Sequence, residues 1–290
     1  MLTMILALCL AAVCAAAPDN RGVTLTPDAE WTYKTVGGKP LKLSVFLPEG
    51  YATGMRFSAI VYFHGGSWKA GEAAWQFPDC AYWRSQGMVA VSADYRLKDR
   101  DGVQVPLECV KDAKSAVRFL REHAAKLKID PDRIVVAGSS AGGQLAAATA
   151  MIRDPKSEHA DDNHDVSCRP DAMLLYNPYY KCEEWLSPPA HVAPGLPPSI
   201  TFVGTEDPVV TPGPLKAFHD ALKAAGNASR LYIAEGGKHG FCNGRNPSNP
   251  YFHWSLELAD RFLRDSRILA AAPAPAHPAA ASPVRFEAHE

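Results

Sequence analysis

The sequence shows no excess of either charge: 30 Lys and Arg residues stand against 31 Asp and Glu residues over 290 positions, for a formal net charge of −1. Binding to nucleic acid or to an anionic membrane depends on a basic excess, so both are excluded as main partners. Calcium-loop and zinc-helix spacings are also lacking. The polar stretch 159–165 is therefore interpreted as a solvated loop, and no metal site is predicted.

Cysteine spacing has no recognisable pattern either. Two of the cysteines fall in the first 17 residues, and no C-x-x-C pair occurs among the others, which are Cys80, Cys109, Cys168, Cys182 and Cys242. An odd number of scattered cysteines defines no disulfide framework. One or two disulfides and a set of buried free thiols both remain open.

An apolar run near the amino terminus covers residues 4–13 and leads to Ala15-Ala16-Ala17-Pro18. This pattern predicts a signal peptide over 1–17, cleaved after Ala17, and hence a secreted or periplasmic protein, although no Lys or Arg precedes Arg21. A permanent membrane span is disfavoured, because it needs about 20 apolar residues.

The remaining composition predicts one large domain followed by a short tail. Hydrophobic residues make up 47% of the chain, which is enough for a single core over residues 18–269. From residue 270 to 290 the sequence is rich in Ala and Pro and is predicted to be a disordered tail.

Hydrophobic patterning indicates an α/β architecture. Two short β-prone segments, 31–36 and 41–47, flank Gly37-Gly38 and predict an antiparallel hairpin. Continuous apolar runs then alternate with helical segments, of which 106–128 has the clearest apolar stripe. The runs cover residues 57–63, 88–93, 133–137, 172–176, 199–203 and 230–234. We therefore predict a mostly parallel, doubly wound sheet entered through an antiparallel hairpin. Segments 153–169 and 177–198 interrupt the alternation, and the second could cover a site.

A G-x-S-x-G motif at 138–142 follows the apolar run Ile134-Val135-Val136-Ala137 and precedes an Ala-rich helical segment. In this context the glycines permit a strained strand-to-helix turn that exposes the central hydroxyl. The pattern predicts Ser140, not Ser139, as a nucleophile.

A second glycine-rich loop supports the same chemistry. His64-Gly65-Gly66 follows a buried strand, and glycines there let backbone N–H groups face a ligand. We predict an oxyanion hole formed by the N–H groups of Gly65, Gly66 and Ala141, each donor contributing about 3 kcal/mol. His64 itself is interpreted as structural, because it precedes Ser140 in the chain.

The base and the acid should follow the serine in the order acid, then histidine. Asp207 lies at the carboxyl end of the run 199–203, where open α/β sheets assemble their sites, and Glu206 remains an alternative acid. His239 follows the run 230–234 in a glycine-flanked loop and is the predicted base.

Together these motifs resemble the esterase branch of the α/β-hydrolases that contains hormone-sensitive-lipase-like enzymes, acetyl-xylan and feruloyl esterases, and kynurenine formamidases. The likeness runs over residues 41–263. The motifs that carry it are His64-Gly65-Gly66-Ser67-Trp68, Asp94-Tyr95-Arg96-Leu97, Asp130-Pro131-Asp132-Arg133-Ile134, Gly138-Ser139-Ser140-Ala141-Gly142-Gly143, Gly204-Thr205-Glu206-Asp207 and His239-Gly240-Phe241. The resemblance implies the α/β-hydrolase fold, with Asp94, Tyr95 and Arg96 bracing the site and Trp68 lining its mouth as a substrate-binding residue.

Ser67 stands where lipase-like members of this family usually have a third glycine, and little chain precedes Trp31 to form a cap. Both features favour short acyl groups, including acetyl or feruloyl esters of plant polysaccharides. We therefore expect a secreted carboxylesterase that acts on small-molecule or oligosaccharide esters without a cofactor. An amidase, formamidase or peptidase of the same fold, and a noncatalytic binding protein that retains it, remain alternatives. The oligomeric state is not determined by the sequence.

Overall fold

The fold is described from a computed structural model, which describes residues 17–18, 24–246, 248–270 and 284–290. Nine strands form one mixed sheet in the order β11-β10-β9-β8-β7-β5-β6-β4-β3, and β1 pairs separately with β2. The strands are β1 Ala17–Pro18, β2 Thr24–Leu25, β3 Ala29–Val36, β4 Lys39–Phe46, β5 Phe57–Phe63, β6 Val89–Ala93, β7 Ile129–Ser139, β8 Ala172–Tyr176, β9 Ser199–Gly204, β10 Ser229–Ala234 and β11 Phe286–His289.

The predicted architecture is confirmed. β3 and β4 form the antiparallel hairpin around Gly37-Gly38, and β4 pairs antiparallel with β6. The strands β6, β5, β7, β8, β9 and β10 are parallel to one another. All six apolar runs lie on these strands, because strands buried on both faces need no alternation of polar residues.

Helices cover both faces of the sheet. The described helices are α1 Phe77–Ser85, α2 Lys98–Asp101, α3 Leu107–Glu122, α4 Ala141–Met151, α5 Pro212–Ala224 and α6 Pro250–Asp265. Successive residues of β7 point to opposite faces, so Val136 joins the core under α3 and α4 whereas Val135 joins the core under α1 and α6. None of the described helices is long and apolar enough to cross a membrane.

Two sequence predictions need correction. The helix predicted over 106–128 ends at Glu122, because the chain then turns towards β7 through Lys128, whose φ is 52°. The prediction of a disordered tail over 270–290 is wrong for its last residues: Phe286–His289 forms β11, which pairs antiparallel with β10. Pairing at the edge of a sheet needs only backbone groups and a few apolar contacts. The Ala/Pro-rich composition of the preceding residues therefore gave no sign of this short strand.

Residues 271–283 and the predicted signal peptide, apart from Ala17, lie outside the described residues, so the prediction of cleavage stays a prediction.

The segment 159–165 is a loop, as predicted, with five of its seven residues exposed, and it is also held in place by ion pairs. Asp162 pairs with Lys34 at 2.6 Å and with Arg118 at 3.1 Å, and His159 Nε2 lies 2.9 Å from Asp112 Oδ1. These charged groups hold the segment against α3 and the first hairpin. Its polar composition reflects ion pairing between distant parts of the chain.

Candidate active site

The turn between β7 and α4 carries Ser140 in a strained conformation, with φ 53° and ψ −120°. The strain persists because the surroundings leave no alternative. A Cβ at Gly142 would overlap the carbonyl oxygen of Phe63, and a Cβ at Gly138 would overlap the carbonyl of Gly142. The two motif glycines therefore allow α4 to pack against β5 and β7 and to hold the serine in its turn.

The structure brings Ser140, His239 and Asp207 together in series. His239 Nε2 lies 3.0 Å from Ser140 Oγ, and His239 Nδ1 lies 2.8 Å from Asp207 Oδ2 and 3.1 Å from Oδ1. The Asp207 side chain is 0% exposed and that of His239 is 27% exposed. The carboxylate of Asp207 thus orients the imidazole through Nδ1, and the other ring nitrogen reaches the Ser140 hydroxyl. This arrangement is able to deprotonate the serine.

Asp207, rather than Glu206, is the carboxylate that reaches the histidine. Its Oδ1 accepts hydrogen bonds from the backbone N–H groups of Val209 and Val210, each at 2.8 Å. These bonds balance the cost of burying a negative charge. Glu206 is exposed, and only its backbone N–H takes part, donating to Gly237 O at 3.0 Å.

Of the predicted oxyanion-hole residues, Gly65 and Ala141 lie next to the serine. A Cβ at Gly65 would lie 3.1 Å from Ser139 O and 3.3 Å from Ser140 Cβ, so the backbone of this loop approaches the nucleophile closely. Gly66, with φ 112°, forms the turn, and its carbonyl accepts from Lys69 at 3.0 Å. Ala141 is the first residue of α4, where a backbone N–H has no acceptor within the helix. Donation by the three N–H groups to a substrate oxyanion stays a prediction.

His64 lies beneath this loop. The ring is fully buried, Nδ1 is 2.6 Å from Gly65 O, and the ring stacks on Tyr95 at 4.4 Å. Burial lowers the pKa of His64 to about 4. Tyr95 donates to His64 O at 2.7 Å, so this pair shapes the glycine loop, in agreement with the structural role that the sequence suggested.

Two other family-motif residues make contacts near this loop. Arg96 binds Asp112 through both Nε and Nη2. Arg100 binds Asp94 at 2.9 Å and the Tyr95 carbonyl at 2.7 Å. The pair of Arg96 with Asp112 fixes the segment after β6 against α3, whereas Arg100 links residues within that segment.

Trp68 is more deeply placed than a residue at the mouth of a site would be. It is 6% exposed, its Nε1 donates to Gln144 Oε1 at 3.2 Å, and its ring centroid lies 5.6 Å from that of Tyr179. Trp68 therefore supports the segment that follows β8. Contact of Trp68 with a substrate stays a prediction.

Sequence reasoning missed Gln144 and Tyr179, which attach this segment to the serine turn. Gln144 Nε2 donates to Leu186 O at 2.8 Å, and Tyr179 N donates to Ser140 O at 2.9 Å. A usable signal was present, since Gln144 lies four residues after Ser140 and hence on the same side of α4. The segment 177–198 is accordingly fixed beside the nucleophile.

Within the ranges that the structure describes, no group of three or more His, Cys, Asp or Glu side chains could hold a metal ion. The five cysteines in the described part of the chain are free thiols.

A mostly parallel sheet with a serine at the turn after β7, a carboxylate after β9 and a histidine after β10 defines an α/β-hydrolase of the serine-hydrolase class.

Comparisons with known proteins agree with this class. The BD-FAE family model matches residues 43–169. The chain is 41% identical to Thermogutta terrifontis esterase 2, solved as the enzyme phosphorylated by paraoxon, with a TM-score of 0.80, and covers 95% of that chain with 84% of its own length.

Curated relatives are more distant. Carboxylesterase NlhH of Mycobacterium tuberculosis is 31% identical over 219 residues, which make up 63% of this chain and 66% of NlhH. Arylacetamide deacetylase of Oryctolagus cuniculus is 36% identical over 143 residues, 47% of this chain and 33% of the deacetylase. The chain belongs to the hormone-sensitive-lipase-like family of α/β-hydrolase esterases, serine hydrolases of carboxylic esters.

Proposed function

We propose that this chain is a carboxylesterase that hydrolyses short-chain acyl esters through Ser140, His239 and Asp207. The observation that carries the proposal is the continuous hydrogen-bonded series from Asp207 through His239 to Ser140 Oγ. Ser140 attacks the ester carbonyl while His239 Nε2 accepts its proton, and Asp207 stabilises the imidazolium. His239 then protonates the leaving alcohol, and water releases the acyl group by the same steps.

The oxyanion formed in each step lies where the loop after β5 meets the first turn of α4. The N–H groups of Gly65, Gly66 and Ala141 donate to it. Donors that are fixed before the reaction do not have to reorganise when charge develops, which is why they lower the barrier. The His64–Tyr95 pair keeps the glycine loop in place.

A short acyl group is favoured by the segment 177–198, which Tyr179 and Gln144 hold against the serine turn. The choice of a short acyl group is also supported by two similar solved structures, Thermogutta terrifontis Est2 with propionate bound and with butyrate bound. Acetyl and feruloyl esters of plant polysaccharides are the natural substrates that we propose. Side-by-side rates on acetylated xylan oligosaccharides, methyl ferulate and nitrophenyl butyrate test this choice, and rates on the first two at the level of uncatalysed hydrolysis would reject it.

Paraoxon tests the nucleophile directly. We expect one diethylphosphoryl group on Ser140, located by peptide mass spectrometry, and loss of nitrophenyl acetate hydrolysis by about 10⁵-fold in Ser140→Ala. Ser139→Ala is the matched control, since Ser139 carries the adjacent hydroxyl, which accepts a hydrogen bond from Gln76 Nε2 at 3.3 Å. Equal activity of wild type and Ser140→Ala, or an unreactive wild type, would favour the noncatalytic binding alternative.

Amide hydrolysis is a second candidate, because the same series of groups cleaves amides and one relative is named arylacetamide deacetylase. Phenyl acetate and acetanilide share an acetyl group and differ at the leaving atom. Comparable kcat/KM values on both would assign the chain to amide as well as ester hydrolysis.

We propose further that the protein is exported and that residues 1–17 are removed. Amino-terminal sequencing of the protein recovered from the periplasm or medium should begin at Pro18. Retention of Met1 would reject the proposal.

A further inference from the structure

The histidine loop, residues 235–240, is held on one side by the loop that carries Asp207. Thr205 Oγ1 accepts from Gly236 N at 2.9 Å, and Gly237 O accepts from Glu206 N at 3.0 Å. A Cβ on Gly204 would overlap the carbonyl of Gly237, so the two loops are in direct backbone contact. This side fixes the middle of the histidine loop.

The start of the histidine loop is held by a different part of the chain. β11 pairs with β10 up to Ala234 and Phe286, and the pairing continues one residue further, where Glu235 N donates to Arg285 O at 2.9 Å. On the same residue, Tyr251 Oη donates to Glu235 O at 2.6 Å. Both backbone groups of Glu235, four positions before His239, are thereby fixed.

The aromatic ring of Phe286 links these two contacts. Its centroid lies 6.2 Å from that of Tyr232, 6.4 Å from that of Phe202 and 6.4 Å from that of Tyr251. Its strand partner Ala234 has a small side chain, which leaves room for the ring on this face of the sheet. Phe286 therefore supports the tyrosine that holds Glu235, in addition to its own strand pairing.

We propose that residues 284–290, the C-terminal clasp, position His239 for proton transfer by fixing the start of the histidine loop. This inference rests on the proposed esterase function, because it assigns the clasp an effect on the reaction of Ser140. A shift of about 1 Å at a reacting group lowers rates by about 10²-fold, whereas substrate binding through other groups is little changed. The clasp thus acts on kcat through the backbone of Glu235.

A purely structural role would give a different result. If β11 only covered the edge of β10, its loss would lower stability and the amount of folded enzyme, and the folded molecules would keep full activity. Paraoxon separates the two cases. The final yield of nitrophenol counts competent molecules, and the rate of its release reports how well His239 activates Ser140.

The central variant is Phe286→Ala, which removes the ring and keeps the backbone pairing. We expect kcat to fall about tenfold with KM within about twofold, and paraoxon to react about tenfold more slowly to the same final yield per chain. Phe286→Leu should recover most of the loss. Glu287→Ala is the matched control on the same strand, since its side chain is 68% exposed, and it should change kcat by less than about twofold.

A double-mutant cycle shows whether Phe286 acts through Tyr251. Tyr251→Phe removes the hydroxyl bonded to Glu235 O and keeps the ring, and Phe286→Ala should lower kcat less in that background than in wild type. A chain that stops after Pro283 lacks both the ring of Phe286 and the acceptor that Arg285 O provides for Glu235 N, so its kcat should fall further than that of Phe286→Ala.

The proposed role of the clasp is rejected if Phe286→Ala leaves kcat unchanged, or if the paraoxon yield of this variant falls in proportion to its activity. Failure of the proposed function is a separate result, seen in the wild type as absence of both ester hydrolysis and paraoxon labelling.

Discussion

The serine turn and the histidine loop meet at one edge of the sheet, yet they are held in different ways. The Ser140 turn is fixed by the glycines between β7 and α4, which pack against each other and against the carbonyl of Phe63, and by backbone hydrogen bonds of Ser140 to Tyr176 and Tyr179. The histidine loop is held by residues from three distant segments, represented by Thr205, Tyr251 and Arg285. The glycines of a short motif thus set the conformation of Ser140, whereas the position of His239 depends on hydrogen bonds from separate segments.

This difference has an energetic consequence. Backbone overlap at a glycine cannot relax, so changes at the serine turn should cost folding free energy. Single hydrogen bonds and ring contacts contribute about 1 kcal/mol each, so changes around the histidine loop should alter rate more than stability. The two regions can be separated by measuring unfolding and kcat on the same variants.

The largest effect should come from the carboxylate that orients the histidine. We expect Asp207→Asn to lower kcat by about 10⁴-fold, because an amide favours the wrong imidazole tautomer and does not stabilise the cation. Glu206→Gln, on the neighbouring exposed residue, should change kcat by less than about threefold. Steady-state kinetics on nitrophenyl acetate measure both, and equal losses would show that Glu206 shares the role.

The next largest effect should be on folding at the serine turn. Gly142→Ala places a methyl group against the Phe63 carbonyl and should lower the free energy of unfolding by about 4 kcal/mol. Gly213→Ala in α5, where a Cβ would meet nothing within 4 Å, should change the free energy of unfolding by less than about 1 kcal/mol, because the gain in helix propensity is offset by the restriction that Pro214 imposes on the residue before it. Urea unfolding measures the difference, and similar midpoints would contradict the contrast between the regions.

A third prediction compares two buried carboxyl groups. Asp207 accepts backbone and imidazole hydrogen bonds, whereas Asp79 in α1 has no partner for its Oδ2 among the described residues. Burial raises the pKa of Asp79 from 3.8 to about 8. The folded protein therefore binds a proton that the unfolded chain releases between about pH 4 and 8, so this group lowers stability as pH rises through that window.

Asp79→Asn imitates the protonated carboxyl and should abolish this dependence. Relative to wild type, the variant should gain about 1.4 kcal/mol of stability per pH unit between pH 5 and 7. Asp132→Asn, on an exposed residue, is the control and should follow wild type. Urea unfolding at both pH values gives the result, and parallel curves for wild type and Asp79→Asn would refute the assignment.

The smallest effect should come from one hydrogen bond between the loops. Thr205→Val keeps the shape of the side chain and removes the acceptor for Gly236 N. We expect kcat to fall about fivefold, corresponding to about 1 kcal/mol, with KM unchanged. A loss expressed only as a lower melting temperature would show that this bond stabilises the fold without positioning His239.

Prediction from sequence succeeded where the signal is local. The apolar runs became β5 to β10 because continuous apolar segments of this length fit only strands buried on both faces. Ser140, Asp207 and His239 could be chosen because each follows one of these strands, and the carboxyl ends of parallel strands meet at one sheet edge. Proximity was therefore predictable, whereas the hydrogen bonds that Asp207 accepts from His239, Val209 and Val210 are visible only in the structure.

By itself, the sequence determined the order of strands and helices, the glycine turn and the residue types of the site, because these depend on periodicity and backbone conformation over a few residues. Tertiary structure alone decided that Trp68 is buried against Tyr179, that the polar segment 159–165 docks on α3, and that the last residues join the sheet. Each of these depends on partners far away in the chain. The composition of a segment does not specify which distant part of the chain it will pack against.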